Sequence, residues 1–296
     1  MKFLKSLLGL LPIIVYLGIQ VVFSFVGCFV YIFTIALQYA GSGNPVPNIS
    51  PDEMTKAILM PVTLASQACA IIVFCIWYYV KFLRGGYRPD VIKKGVMGIS
   101  LNAILVMLVT YGISDYLLRG IAIAAPSAMM KYEAYVERAL IPEGTPIGSF
   151  IAAVILAPIV EELCFRGLTV RYLRLVGIKK WWVIIIQAAI FAIAHMQPVQ
   201  SSYAFINGIF MGILMYKYDS ILVTTLAHMF FNLVGSYVLP PLELKLAENG
   251  AFGIYMIVWG VVIIALGTLL YFRLFKQKDR IAVTRFNDPK RFQIQQ

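Results

Sequence analysis

The chain has 296 residues, 60% hydrophobic and 13% charged, with a mean hydropathy of +0.83 and a formal charge of +11. A soluble domain carries about 25% charged residues, so an ordinary soluble globular protein is excluded. Several apolar runs reach the ~20 residues that cross a bilayer as a helix, and runs such as 250–272 lack the alternation of a membrane barrel strand.

The expected fold is all-α: a polytopic transmembrane helical bundle of about eight helices. It is read as a single transmembrane domain over 1–296, with no internal repeat, a catalytic core at about 147–239 and a basic tail at about 275–296. In chain order the spans fall at about 10–39, 57–82, 95–118, 147–171, 181–197, 202–217, 220–239 and 250–274. Lys2 and Lys5 precede the first run as in a signal peptide. The run continues to about Tyr39 without a small-x-small cleavage site, so a retained helix is expected. Breaks are punctuated by Gly41-Ser-Gly-Asn-Pro-Val-Pro after the first span and by Pro240-Pro241 after the seventh. Between the third and fourth spans, Ala128 to Leu140 reads as an amphipathic helix. It fits a helix on the bilayer surface, anchored by Tyr132 and Tyr135, or else a lid over a cavity. Cys28, Cys69, Cys75 and Cys164 lie in apolar runs, match no zinc spacing, and read as packing residues.

Basic residues set the orientation. With the N-terminus inside and every span reversing direction, nineteen Lys and Arg fall inside and five outside; Arg166 lies within the fourth span. Both termini are therefore expected in the cytosol. The +11 charge faces an anionic leaflet rather than nucleic acid.

Few residues offer acid–base chemistry. The fourth span holds Glu161-Glu162-Leu-Cys-Phe-Arg166. Glu162 and Arg166 have the i,i+4 spacing of a helical ion pair, with the acid on the favourable N-terminal side. Glu161 points about 100° away and is left free as a general base. The only two histidines also sit in apolar segments, in Phe191-Ala-Ile-Ala-His195 and His228-Met-Phe-Phe-Asn232, each motif pairing residues four apart. At ~1.5 Å per residue, Glu161, His195, His228 and Asn232 all fall between mid-depth and the cytosolic side. Ionisable groups in membrane spans are costly, so they mark function. A carboxylate with an imidazole can activate water, while an imidazole with a carboxamide can stabilise an oxyanion. Glu161, His195 and His228 could instead hold a catalytic zinc. There is no H-E-x-x-H, no G-x-S-x-G, no aspartyl G-x-G-D and no rhomboid-type serine.

The ordered trio E-E-x-x-x-R, F-x-x-x-H and H-x-x-x-N, on separate apolar helices, resembles the CPBP family. These are the type II CAAX prenyl proteases and bacteriocin-processing relatives, also called ABI. The resemblance implies a hydrolase, an intramembrane protease in which Glu161 activates water with His195. His228 and Asn232 then form the oxyanion hole, and Glu162, Arg166 and Phe191 support them. It implies no cofactor, although zinc at Glu161, His195 and His228 is the alternative. The implied partners are the lipid bilayer and a membrane-associated peptide or protein substrate, in a multi-pass protein of a prokaryotic plasma membrane. A non-catalytic immunity protein or transporter using the same polar cluster is the competing class. The Asn48-x-Ser50 sequon would matter only in a eukaryotic secretory membrane.

Overall fold

The structure, a computed structural model, describes residues 7–40, 45, 47–84, 96–139 and 146–275. Among them lie nine helices and no strand. In chain order these are α1 (Leu7–Ala40), α2 (Pro51–Leu83), α3 (Val96–Ala124), α4 (Pro126–Ala139), α5 (Pro146–Leu175), α6 (Lys180–Ala194), α7 (Pro198–Tyr218), α8 (Ile221–Glu248) and α9 (Phe252–Leu274). Six of them, α1, α2, α3, α5, α8 and α9, are long and apolar enough to cross a membrane. α6 is a shorter apolar helix of 15 residues, and α7 has 21 residues. Lys2, Lys5, most of the Gly41–Pro47 break and the basic tail lie outside the described residues, apart from Arg273 and the adjoining residues to Phe275.

Helix starts follow side-chain chemistry. Ser50 caps α2: its hydroxyl accepts from the Glu53 N–H at 3.2 Å, and the Glu53 carboxylate accepts from the Ser50 N–H at 2.9 Å. The serine of the sequon thus begins a helix. The Pro240-Pro241 pair does not end its span as expected; α8 runs on to Glu248. The prolines fall at the first positions of a restarted helical stretch, where no N–H is owed to the preceding turn.

Three apolar clusters hold the bundle, the smallest joining α5, α6 and α7 through Leu173, Ile184 and Met215; the other two are larger. One joins α3, α7, α8 and α9 through Met107, Met211, Leu214, Phe231 and Ile263. The other joins α2 and α5 to α1 and α6 through Phe74, Val160, Phe165, Leu168 and Phe191. Phe25, Phe29 and Phe33 on α1, and Ile257, Val261 and Ile264 on α9, remain exposed, as suits helices that face lipid.

α6 and α7 form a tight antiparallel hairpin: Ala188 lies against Gly208, and Ile184 and Gln187 against Gly212. Gly208-Ile-Phe-Met-Gly212 is a small-x-x-x-small stripe that lets the two backbones close. Gln187 Nε2 donates to the Gly208 carbonyl at 2.6 Å across the contact. The connecting turn holds Met196 at φ 53, a left-handed conformation uncommon outside glycine. His195 sits at this turn.

A Cβ at Gly208 would lie 2.8 Å from the Ala188 Cα, a backbone atom that cannot swing aside. Gly208→Ala is expected to destabilise the protein by about 1–3 kcal/mol through overpacking. Gly253→Ala, where nothing lies within 4 Å, should not. Thermal unfolding of the two purified variants in detergent separates the outcomes.

Candidate active site

The site begins with an irregularity in α5. Over Ile151–Leu156 and again over Glu162–Thr169 the helix widens, with the Ala157 N–H bonding to the Ala152 carbonyl and the Val170 N–H to the Phe165 carbonyl. Such i→i+5 turns recur at functional sites. Here the consequence is specific. Ala157 bonds one residue further back than in an α-helix, and Pro158 has no N–H to offer, so the Ala153 carbonyl loses its helical donors. Asn232 of α8 fills the gap, its Nδ2 donating to the Ala153 carbonyl at 2.8 Å. The carboxamide is thereby fixed, with its second Nδ2 hydrogen left over.

Glu162 is fully buried. Its Oε1 accepts from Arg166 NH1 at 2.8 Å and from His228 Nδ1 at 2.9 Å. Arg166, also fully buried, lays its guanidinium over the Phe191 ring, 4.7 Å from the centroid. Phe191 packs edge-on against His195 at 4.7 Å and against His228 at 5.9 Å between centroids. One aromatic ring thus sits among the guanidinium and both imidazoles. The expected Glu162–Arg166 pair forms, and Glu161 is left out of it.

Glu161 is partly exposed, and its Oε2 lies 3.7 Å from His228 Nε2. The sequence paired Glu161 with His195 and His228 with Asn232. In the structure His228 is instead the imidazole that touches both glutamates, one at each ring nitrogen. His195 Nδ1 donates to its own helix, to the Phe191 carbonyl at 2.8 Å. In the neutral ring that leaves Nε2 as the acceptor.

Glu161, His195, His228 and Asn232, which sequence depth placed together, all line one cavity of about 340 Å³, with Phe191 in its wall. A second chamber of about 270 Å³ adjoins it, sharing Ala153, Tyr203, Phe231, Asn232 and Ser236. The amphipathic helix forms as expected, as α4, and its tyrosines face inward spaces: Tyr132 lines the second chamber and Tyr135 the first. Tyr132 and Tyr203 are joined hydroxyl to hydroxyl at 3.0 Å, which pins α4 over α7. Burial pushes the Tyr135 phenol up, so it meets the cavity as a neutral hydroxyl.

The polar wall of the main cavity went unread in the sequence: Gln67, Ser149, Gln200 and Asn207 all line it. Their signal was available, since a glutamine or asparagine inside an apolar helix is itself costly. Among the described residues no three His, Cys, Asp or Glu side chains come together as a metal-holding group. The alternative zinc set, Glu161, His195 and His228, is not assembled as one.

The chain is an all-helical, multi-pass membrane bundle that brings a carboxylate, two imidazoles and a carboxamide to one cavity. Residues 143–234 match the model of the Rce1-like family, the type II CAAX prenyl endopeptidases. The match contains all three motifs, as the resemblance implied. No curated protein and no solved structure shows significant similarity to the chain.

Removing one partner of a buried ion pair strands the other charge. Arg166→Leu is expected to cost about 3–5 kcal/mol. Arg166→Leu combined with Glu162→Gln should recover much of that loss. Unfolding of the single and double variants in denaturant measures the coupling.

Proposed function

We propose that the protein is a glutamate-dependent intramembrane endopeptidase that hydrolyses a peptide bond of a membrane-associated peptide or protein. The observation that carries this reading is the convergence of Glu161, His195, His228 and Asn232 on one cavity. Water held by Glu161, with His195 Nε2 as the second acceptor, attacks the peptide carbonyl carbon and gives its proton to Glu161. The oxyanion that forms accepts hydrogen bonds from His228 Nε2–H and from the free Nδ2 hydrogen of Asn232. With Nδ1 already bonded to Glu162, His228 must carry both ring protons to play that part. Glu161 then returns the proton to the amide nitrogen, the C–N bond breaks, and a carboxyl terminus and an amine leave. A base and an oxyanion donor 3.7 Å apart are close enough to serve the water and the oxygen of a single carbonyl.

Glu162 and Arg166 hold this arrangement from behind the cavity, and Phe191 holds it from the cavity wall. The chemistry needs no cofactor. The inside bias of basic residues supports cytosolic termini. The proposed setting is a prokaryotic plasma membrane, and the proposed substrate a leader, pheromone or bacteriocin precursor.

Glu161→Gln is expected to leave folding and membrane insertion intact and to abolish cleavage. Comparative peptidomics of cells carrying wild type and variant checks this, and full processing by the variant would sink the reading. Asn232→Ala should lower kcat about 10²–10³-fold, the usual cost of an oxyanion donor. Activity of the purified protein should withstand a strong chelator; loss with chelation and recovery with zinc would favour the metal-dependent alternative.

A further inference from the structure

The cavity wall carries more polar groups than hydrolysis uses. Gln67 on α2, Ser149 on α5 and Asn207 on α7 are each more than nine-tenths buried, at 6%, 2% and 3% exposure. All three line the cavity, yet Gln67 Oε1, Ser149 Oγ and Asn207 Oδ1 have no hydrogen-bond partner. Gln200 Oε1 is in the same condition, also on the cavity wall. A buried polar atom without a partner costs about 1–3 kcal/mol. Four around one cavity, contributed by three helices, need a reason.

Their arrangement supplies one. Gln200, Tyr203, Ala204 and Asn207 recur at helical spacing and all line the cavity, so they form one stripe along α7. Gln200 and Asn207 are seven residues apart, about 10.5 Å along the helix. That is close to the length of three residues of extended chain at about 3.4 Å each. Carboxamides both donate and accept, which is what a peptide backbone asks of a wall. A substrate backbone drawn into a cavity inside a membrane bundle cannot leave its N–H and C=O groups unpaired.

We propose that Asn207, Gln200, Gln67 and Ser149 form a subsite for the main chain of an extended peptide, recognised by backbone hydrogen bonds rather than by side chains. They are positioning residues: they hold the chain so that one carbonyl meets Glu161. The inference rests on the peptidase reading and adds to it that about three residues beside the scissile bond must be extended and carry free amides.

The test uses the full chain in proteoliposomes and a mixture of quenched-fluorescent decapeptides. The peptide cut best is resynthesised with single ester-for-amide replacements at successive positions. Asn207→Leu and Ser149→Ala are expected to raise KM tenfold or more and to change kcat less than threefold. One ester replacement should raise KM in wild type and have no further effect in Asn207→Leu. Binding of the same peptide to Glu161→Gln, read by fluorescence anisotropy, should weaken equally when Asn207→Leu is added. Unchanged KM and anisotropy, or ester and variant penalties that simply add, would overturn the subsite while cleavage by wild type kept the peptidase reading intact. A lowered melting temperature with unaltered KM would overturn it too, assigning these groups a structural role. Cleavage by Glu161→Gln would instead bring down the peptidase reading itself.

Discussion

Everything at this site depends on one oxygen. Glu162 Oε1 accepts from both Arg166 and His228, and so ties α5 to α8 at a place where no solvent can help. A carboxylate with no exposed surface has to be neutralised by its neighbours, and the two donors do so from different directions. The price is a guanidinium that must also be buried, and Phe191 accepts it on its ring face. Because the same ring packs against both imidazoles, the charge network and the aromatic packing fix His195 and His228 together. Glu161 is then the acidic group of the pair that is left open to the cavity.

The widened turns of α5 act on the same principle through the backbone. A regular helix would have consumed the Ala153 carbonyl. The i→i+5 register and Pro158 release it, and Asn232 takes it up. An unpaired backbone carbonyl is thus converted into a tether for a side chain on another helix. Below the site, Arg171 and Arg174 close on Asp219 at 3.4 and 3.8 Å, holding the α7–α8 corner to α5. His228 and Asn232 therefore stand on a helix secured at its start by charge and in its middle by amide.

Much of this was legible in the chain. The apolar runs announced the helices, and i,i+4 spacing announced the Glu162–Arg166 pair. Depth along the spans grouped Glu161, His195, His228 and Asn232. What spacing could not show was the partner of each imidazole. That depends on the rotation of α8 against α5, and the wide turns change the phase of α5 after Ala157. The continuation of α8 past Pro240-Pro241 was hidden for a similar reason, since a proline pair reads the same at the end of one helix and at the start of the next. Gln67, Ser149 and Asn207 were passed over because each is uncharged; only the cavity shows that they face the same space.

The brevity of α6 has a consequence for the membrane itself. Fifteen residues span about 22 Å, several ångströms less than a hydrocarbon layer of about 30 Å. A helix that short cannot match the bilayer on both sides, and the mismatch is met by thinning the lipid around it or by leaving its end below the interface. One of its two ends is the turn that carries His195. The acyl-chain length of the surrounding lipid therefore bears on the turn that carries His195.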